Sequence, residues 1–285
     1  MNPYPDFVAQ FVRLLQEGKT YPLGGFTPAP RPDLPKDAPK VLIFSPHPDD
    51  ECIIGALPFR LLREARLRVL NVAVTQGSRK DRQAERYQEL ERACQYMGFG
   101  LIQTKPNGLE RISVKTREQD QAAWSEAVRI IAQILSDQQP QAIFFPHDLD
   151  WNSTHIGTHF LVMDALATLG PGFQCFALET EFWGPMWSPN LMVESSAEDV
   201  AEMVTGITFH AGEVRRNPYH LLLPAWMQDN VRRGCELVGG QGGAAPDFVF
   251  ATLYRLRQWT QGKLQPVFTG GKNLSCRDNP ASLFG

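Results

Sequence analysis

Short apolar runs alternate along this chain with stretches of helical periodicity, and that alternation restricts the fold more than any other feature. Val41, Leu42, Ile43, Phe44 and Ser45 form an almost wholly apolar run, as a strand buried on both faces requires. Residues 67–75 read as a second strand, 142–145 as a further buried strand and 174–178 as another. Between them, residues 52–66, 80–97, 116–137 and 155–168 read as helices, the second closed by Gly98. Strand alternating with helix predicts an open, mostly parallel sheet with helices on both faces, a Rossmann-like α/β fold.

The ends depart from this pattern. Residues 4–18 read as a short amphipathic helix with Phe7, Phe11, Leu14 and Leu15 at helical spacing. The stretch 22–39 is rich in proline and glycine and reads as an arm over the domain surface. The expected organisation is therefore an N-terminal helix and arm over 1–40 and one α/β domain over 41–285. Near residue 195 the alternation stops. Ser195 and Glu198 have capping-box spacing, and the remainder reads as mixed helix and loop packed on the domain.

Composition narrows the function. Charged residues make up 21% and the formal net charge is -3, without the basic footprint of a general nucleic-acid binder. The five cysteines are scattered and none forms a CxxC pair, which fits free thiols in a reducing compartment. No basic stretch followed by an apolar one opens the chain, and no apolar run reaches the roughly 18 residues that span a bilayer. The expected location is the cytoplasm. The expected partner is a small molecule, without nucleic acid or membrane span, and a homo-oligomer stays open.

The chemistry concentrates after two of the strands. Ser45, Pro46, His47, Pro48, Asp49, Asp50 and Glu51 follow the first apolar run, and in open α/β sheets ligands bind outside the carboxyl ends of strands. His47 and Asp50 are three residues apart, so one turn aims both at a single point. An imidazole nitrogen and a carboxylate suit zinc or a related divalent ion. Asp49, between them, points elsewhere and is free to handle protons. The plainer alternative is a helix start, where acidic residues are favoured.

The second cluster, Pro146 to His159, follows the strand at 142–145 and ends in Asn152, Ser153, Thr154 and His155 at the head of a helix. A third ligand from a second strand end would complete three protein ligands with an open position for water, as in catalytic zinc sites. His159 is one turn further on, where packing is the commoner role.

These strings resemble the signature of the LmbE-like (PIG-L) de-N-acetylases. His47, Pro48, Asp49, Asp50 and Glu51 match its first motif. Thr75 and Gly77 match a Thr-x-Gly turn, and Arg86, Glu89, Ala93 and Gly98 match the spacing of the following helix. The resemblance covers roughly residues 41–180. It implies a zinc hydrolase that removes an acetyl group from an N-acetylglucosamine-type amino sugar with a zinc-activated water. It implies His47, Asp50 and His155 as metal ligands, Asp49 as catalytic base and Arg86 as a substrate-binding residue.

One motif departs. Where the family carries His-Pro-Asp-His, this chain has Asn152, Ser153, Thr154 and His155. Asn152 keeps a hydrogen-bond donor for an oxyanion but cannot carry positive charge. The general acid is therefore open, with His147, His210 and His220 available from outside the motif. The polar segment 209–220 reads as a lid, a substrate wall or a surface loop. Trp183 and Trp187 read as sugar-stacking or core aromatics. No nucleophile elbow, HExxH or P-loop is found. Competing expectations are a zinc hydrolase of another amide or ester, and a metal- or sugar-binding protein without activity.

Overall fold

The computed structural model describes residues 1–285. In chain order its elements are α1 (Tyr4–Gly18), β1 (Lys40–Ser45), α2 (Leu57–Arg63), β2 (Arg68–Ala73), α3 (Gln83–Met97), β3 (Gly100–Gln103), α4 (Val114–Gln119), α5 (Gln121–Gln138) and β4 (Ala142–Pro146). Then come α6 (Ser153–Thr168), β5 (Cys175–Thr180), β6 (Leu191–Ser195), α7 (Ala197–Ile207), α8 (Ala211–Arg216), α9 (Leu223–Leu237), β7 (Phe250–Thr260), β8 (Lys263–Pro266) and β9 (Lys272–Leu274).

The nine strands form one sheet in the order β3-β2-β1-β4-β5-β7-β6-β9, with β8 paired to β7. Strands β1 to β5 are parallel. Both faces of the first strands are covered, and side-chain alternation sorts their residues between two cores. Val41 and Ile43 of β1, with Ala142 and Phe144 of β4, pack on one face. Leu42, Ile143 and Phe145 pack on the other, against Ile131 and Leu135 of α5 and Leu161 of α6. This is why these runs carry no polar alternation.

Four features differ from the sequence reading. The segment after 195 supplies strands as well as helices. The eleven-residue β7 runs antiparallel to both β5 and β6, so the sheet is mixed. Strand β3 is short and half-buried along its length, without the apolar run that marks a central strand. The helix expected over 116–137 is two helices broken at Asp120, whose carboxylate caps α5 by accepting from Ala123 N–H. The capping box lies one residue later than its spacing suggested, on Ser196 and Asp199.

The arm over 22–39 has no regular structure and is fastened by polar contacts. Arg31 bonds the Tyr96 carbonyl and Glu202, and the Pro35 carbonyl accepts from Arg68.

Strand order reverses between β1 and β4. From β1 the chain proceeds outward to β2 and β3; from β4 it proceeds the other way to β5. The loops leaving the carboxyl ends of β1 and β4 therefore diverge and leave a crevice, the usual ligand position in an open α/β sheet.

Candidate metal centre and active site

The loop after β1 is fixed before it carries any chemistry. Thr75, just beyond β2, donates its hydroxyl to the Pro46 carbonyl at 2.7 Å, and Arg86 of α3 donates to the Pro48 carbonyl at 2.8 Å. Gly77 is required here: its φ is +81°, and a Cβ would lie 2.3 Å from the Arg86 guanidinium. The Thr-x-Gly turn thus clears the space through which Arg86 reaches the loop.

The three residues expected to bind metal converge. Nδ1 of His47 lies 3.2 Å from Nε2 of His155 and 3.4 Å from Oδ2 of Asp50. His155 Nε2 lies 3.2 Å from the same carboxylate oxygen. One ligand atom from each residue falls within 4.8 Å of the others. Asp50 and His155 are fully buried, while His47 borders the crevice.

The donor set fits a divalent cation. Two imidazole nitrogens and a carboxylate suit zinc and its neighbours. Charge agrees: burial opposes a charge on His155, yet Asp50 and Asp150 outweigh it and push its pKa up to about 10. Burial likewise opposes ionisation of Asp50, and the two histidines overcome it, holding its pKa well below the usual carboxylate range. The surroundings call for positive charge at this point.

Asp150 was not singled out from sequence. Its Oδ1 lies 3.6 Å from His155 Nδ1, the ring nitrogen turned away from the ligand triangle. The carboxylate is itself held by backbone N–H groups of Asn152, Trp183 and Gly184. A carboxylate behind a ligating histidine fixes its tautomer and orientation. The available signal was the string Asp148, Leu149, Asp150 after a buried strand, but no periodicity tells which of the two acids turns inward. Asp148 turns instead to Arg255.

Asp49 does not join the ligand triangle. Its backbone has φ 111°, in the region that favours glycine. The strain is held by its own N–H, bonded to Glu51 at 2.9 Å, and by its carboxylate, which accepts the Tyr219 hydroxyl at 2.7 Å. Arg86 lies 3.9 Å away. Desolvation, and then the charge of Asp50, raise the Asp49 pKa to about 6. Glu51 is fully buried, pairs with His210 at 2.7 Å and accepts the Asp49 N–H, so it supports the loop. Burial opposes a charge on His210, but Glu51 outweighs it and raises that pKa.

Tyr219 was also missed. It lies in the segment 209–220, read from sequence as a lid, a substrate wall or a surface loop with no residue singled out but its histidines, and α7, α8 and the turn after it carry it back over the β1 loop.

Asn152 caps α6: its side-chain oxygen accepts from Thr154 N–H at 2.8 Å. Its amide borders the same crevice as His47 and Arg86, a polar cavity of about 590 Å3. The other histidines lie outside the ligand triangle. His147 bonds the Gly184 carbonyl through Nε2 and accepts from Leu149 N–H through Nδ1, so both ring nitrogens serve the loop rather than the crevice. His159 bonds the Pro146 carbonyl, and His220 is buried with a pKa lowered by desolvation. Neither Trp183 nor Trp187 borders the polar cavity.

Fold and site together define an open α/β protein with a candidate metal centre where its strand order reverses. Residues 42–166 match the family model described as PIG-L: GlcNAc-PI de-N-acetylase, which bears out the resemblance over that segment. No curated protein matches the chain. Among solved structures it is similar to the N,N'-diacetylchitobiose deacetylase of Pyrococcus horikoshii, with 18% identity, TM-score 0.58, and coverage of 81% of this chain and 88% of that one. It is similar to the zinc-inhibited form of the teicoplanin deacetylase Orf2, with 12% identity, TM-score 0.57, and coverage of 77% and 98%. It is also similar to GalB, the 4-carboxy-2-hydroxymuconate hydratase of Pseudomonas putida, with 16% identity, TM-score 0.56, and coverage of 76% and 95%. At these identities the likeness concerns the fold, which serves both deacetylases and a hydratase.

Proposed function

We propose that this protein is a metal-dependent amide hydrolase that removes an N-acyl group, acetyl in the simplest case, from an amino sugar. His47, Asp50 and His155 would hold the metal, most naturally zinc. A divalent ion so held supplies Lewis-acid polarisation of a carbonyl and lowers the pKa of water. Asp49 takes the proton of the attacking water and delivers it to the leaving amine. Asn152 donates its amide N–H to the developing oxyanion. Arg86, on the wall of the polar cavity, positions a hydroxyl or acidic substituent. The products are a carboxylate and a free amine.

One observation carries this reading. Asp49 is adjacent in sequence to a ligand, yet its carboxylate is engaged by Tyr219 rather than by the ligand triangle, with its proton affinity raised toward neutral pH. A site that only bound metal would have no use for a strained second carboxylate. Acetate release from N-acetylated sugars, with added zinc and with chelator, tests the activity. A panel including simple amides and esters tests the substrate class. All five cysteines are free, three of them buried, in keeping with a reducing compartment such as the cytoplasm. No helix is long and apolar enough to cross a membrane.

A further inference from the structure

A second cavity, of about 200 Å3, is lined only by hydrophobic side chains, among them Ile53, Phe182, Trp183, Tyr219, Leu223 and Trp226. It shares no residue with the polar cavity. Two contacts tie it to the metal centre. The Phe182 ring stands edge-on to the ring of His155, with centroids 4.9 Å apart, and Tyr219 bonds Asp49 at 2.7 Å. The centre thus has a polar flank, through His47 and Asn152, and an apolar flank, through Phe182 and Tyr219.

An amide cleaved here has two arms. The amino-sugar arm is rich in hydroxyls and matches the polar flank, which leaves the acyl arm for the apolar one. Acetyl offers only a methyl group to fill it. A single water occupies about 30 Å3 of liquid, and a methyl is of similar size, so most of the cavity would stay unfilled. Trp183, which is 42% exposed, packs on Tyr219 with ring centroids 5.6 Å apart, giving apolar surface that a longer chain would cover. We propose that this cavity is an acyl-chain pocket, and that the preferred substrate carries a short alkanoyl group longer than acetyl. The proposal rests on the amide-hydrolase reading. The reaction balances as hydrolysis: the C–N bond breaks, water oxygen forms the new C–O bond, and the water protons go to the amine and the medium.

The test uses the full-length, zinc-loaded protein with N-acetyl-, N-butanoyl- and N-hexanoylglucosamine. Each buried methylene should raise kcat/KM by up to about four-fold. Leu223→Trp and Ile53→Phe, which fill the cavity from different elements, should each reduce the hexanoyl-to-acetyl ratio. A flat or falling series overturns the proposal while leaving a deacetylase. An octyl glycoside of N-acetylglucosamine is the control. If the gain appears there and not with hexanoyl, the cavity takes the aglycone and the acyl assignment fails. Binding of hexanoate against acetate, followed by the fluorescence of Trp183 and Trp226, needs no turnover. Tighter hexanoate binding supports the pocket even if no amino sugar is cleaved, in which case the hydrolase reading fails alone; equal binding overturns the pocket.

Discussion

The hydroxyl of Tyr219 donates to the carboxylate of Asp49 at 2.7 Å across 170 residues of sequence. That bond joins the C-terminal part of the chain to the loop after β1, and it stabilises the charged form of a carboxylate that burial pushes toward neutrality. Tyr219→Phe should keep metal affinity, lower kcat more than it changes KM, and move the acidic limb of the pH–rate profile upward. A bond to a charged group contributes about 1.5–3 kcal/mol, so a loss of about ten-fold or more in kcat is expected. Steady-state kinetics across pH measure it.

Asp49→Asn should leave the ligand triangle intact and lower turnover by about 10²–10⁴. Metal content and acetate release are to be determined on the same sample. Loss of metal would make Asp49 a ligand, and full activity would place the base elsewhere.

Asp150→Asn should weaken metal binding by about 10–100-fold, because the carboxylate orients His155 without ligating. His155→Ala should weaken it further. Competition against a chromogenic chelator separates the two.

Asn152 caps α6 and, in the proposed reaction, donates to the oxyanion, and substitution can divide the two. Asn152→Ala should lose about 1 kcal/mol of helix cap and about 10²–10³ in turnover. Asn152→Asp keeps the acceptor that caps α6 but has no amide donor, so it should restore stability and not activity. Thermal unfolding together with kinetics distinguishes these outcomes. Recovery of activity in the aspartate variant would reduce Asn152 to a cap.

His159 should make stability fall in mild acid. Burial lowers its pKa, so the unfolded chain binds the proton more readily than the folded one. Its contribution is complete above the unfolded value of about 6.5 and is lost as pH falls through the lower folded value. Denaturant unfolding of wild type and His159→Gln across this range should show a smaller pH slope in the variant.

Much of the site was legible in the sequence for a local reason. His47, Asp49 and Asp50 lie on one turn, and a buried strand before that turn announces itself by an unbroken apolar run. His155 was legible because its own strand, β4, carries the same mark. Arg86 and Gly77 followed only from the family resemblance. Strands β3 and β7 were not legible. The first is half-buried along its length, and the second carries polar and charged residues among its buried ones, so neither has the run that marks a central parallel strand.

By itself, then, the chain determined the elements whose signals are local: the buried strands, the helices between them, the capped turns and the acidic loop that carries His47, Asp49 and Asp50. Tertiary structure alone decided which distant groups meet them. Asp150 rather than Asp148 backs His155, Tyr219 rather than a histidine bonds Asp49, and His210 rather than a solvent-exposed partner neutralises Glu51. The physical reason is that side-chain periodicity records which face of an element is buried, whereas pairing between distant polar groups depends on how the chain closes its loops in space.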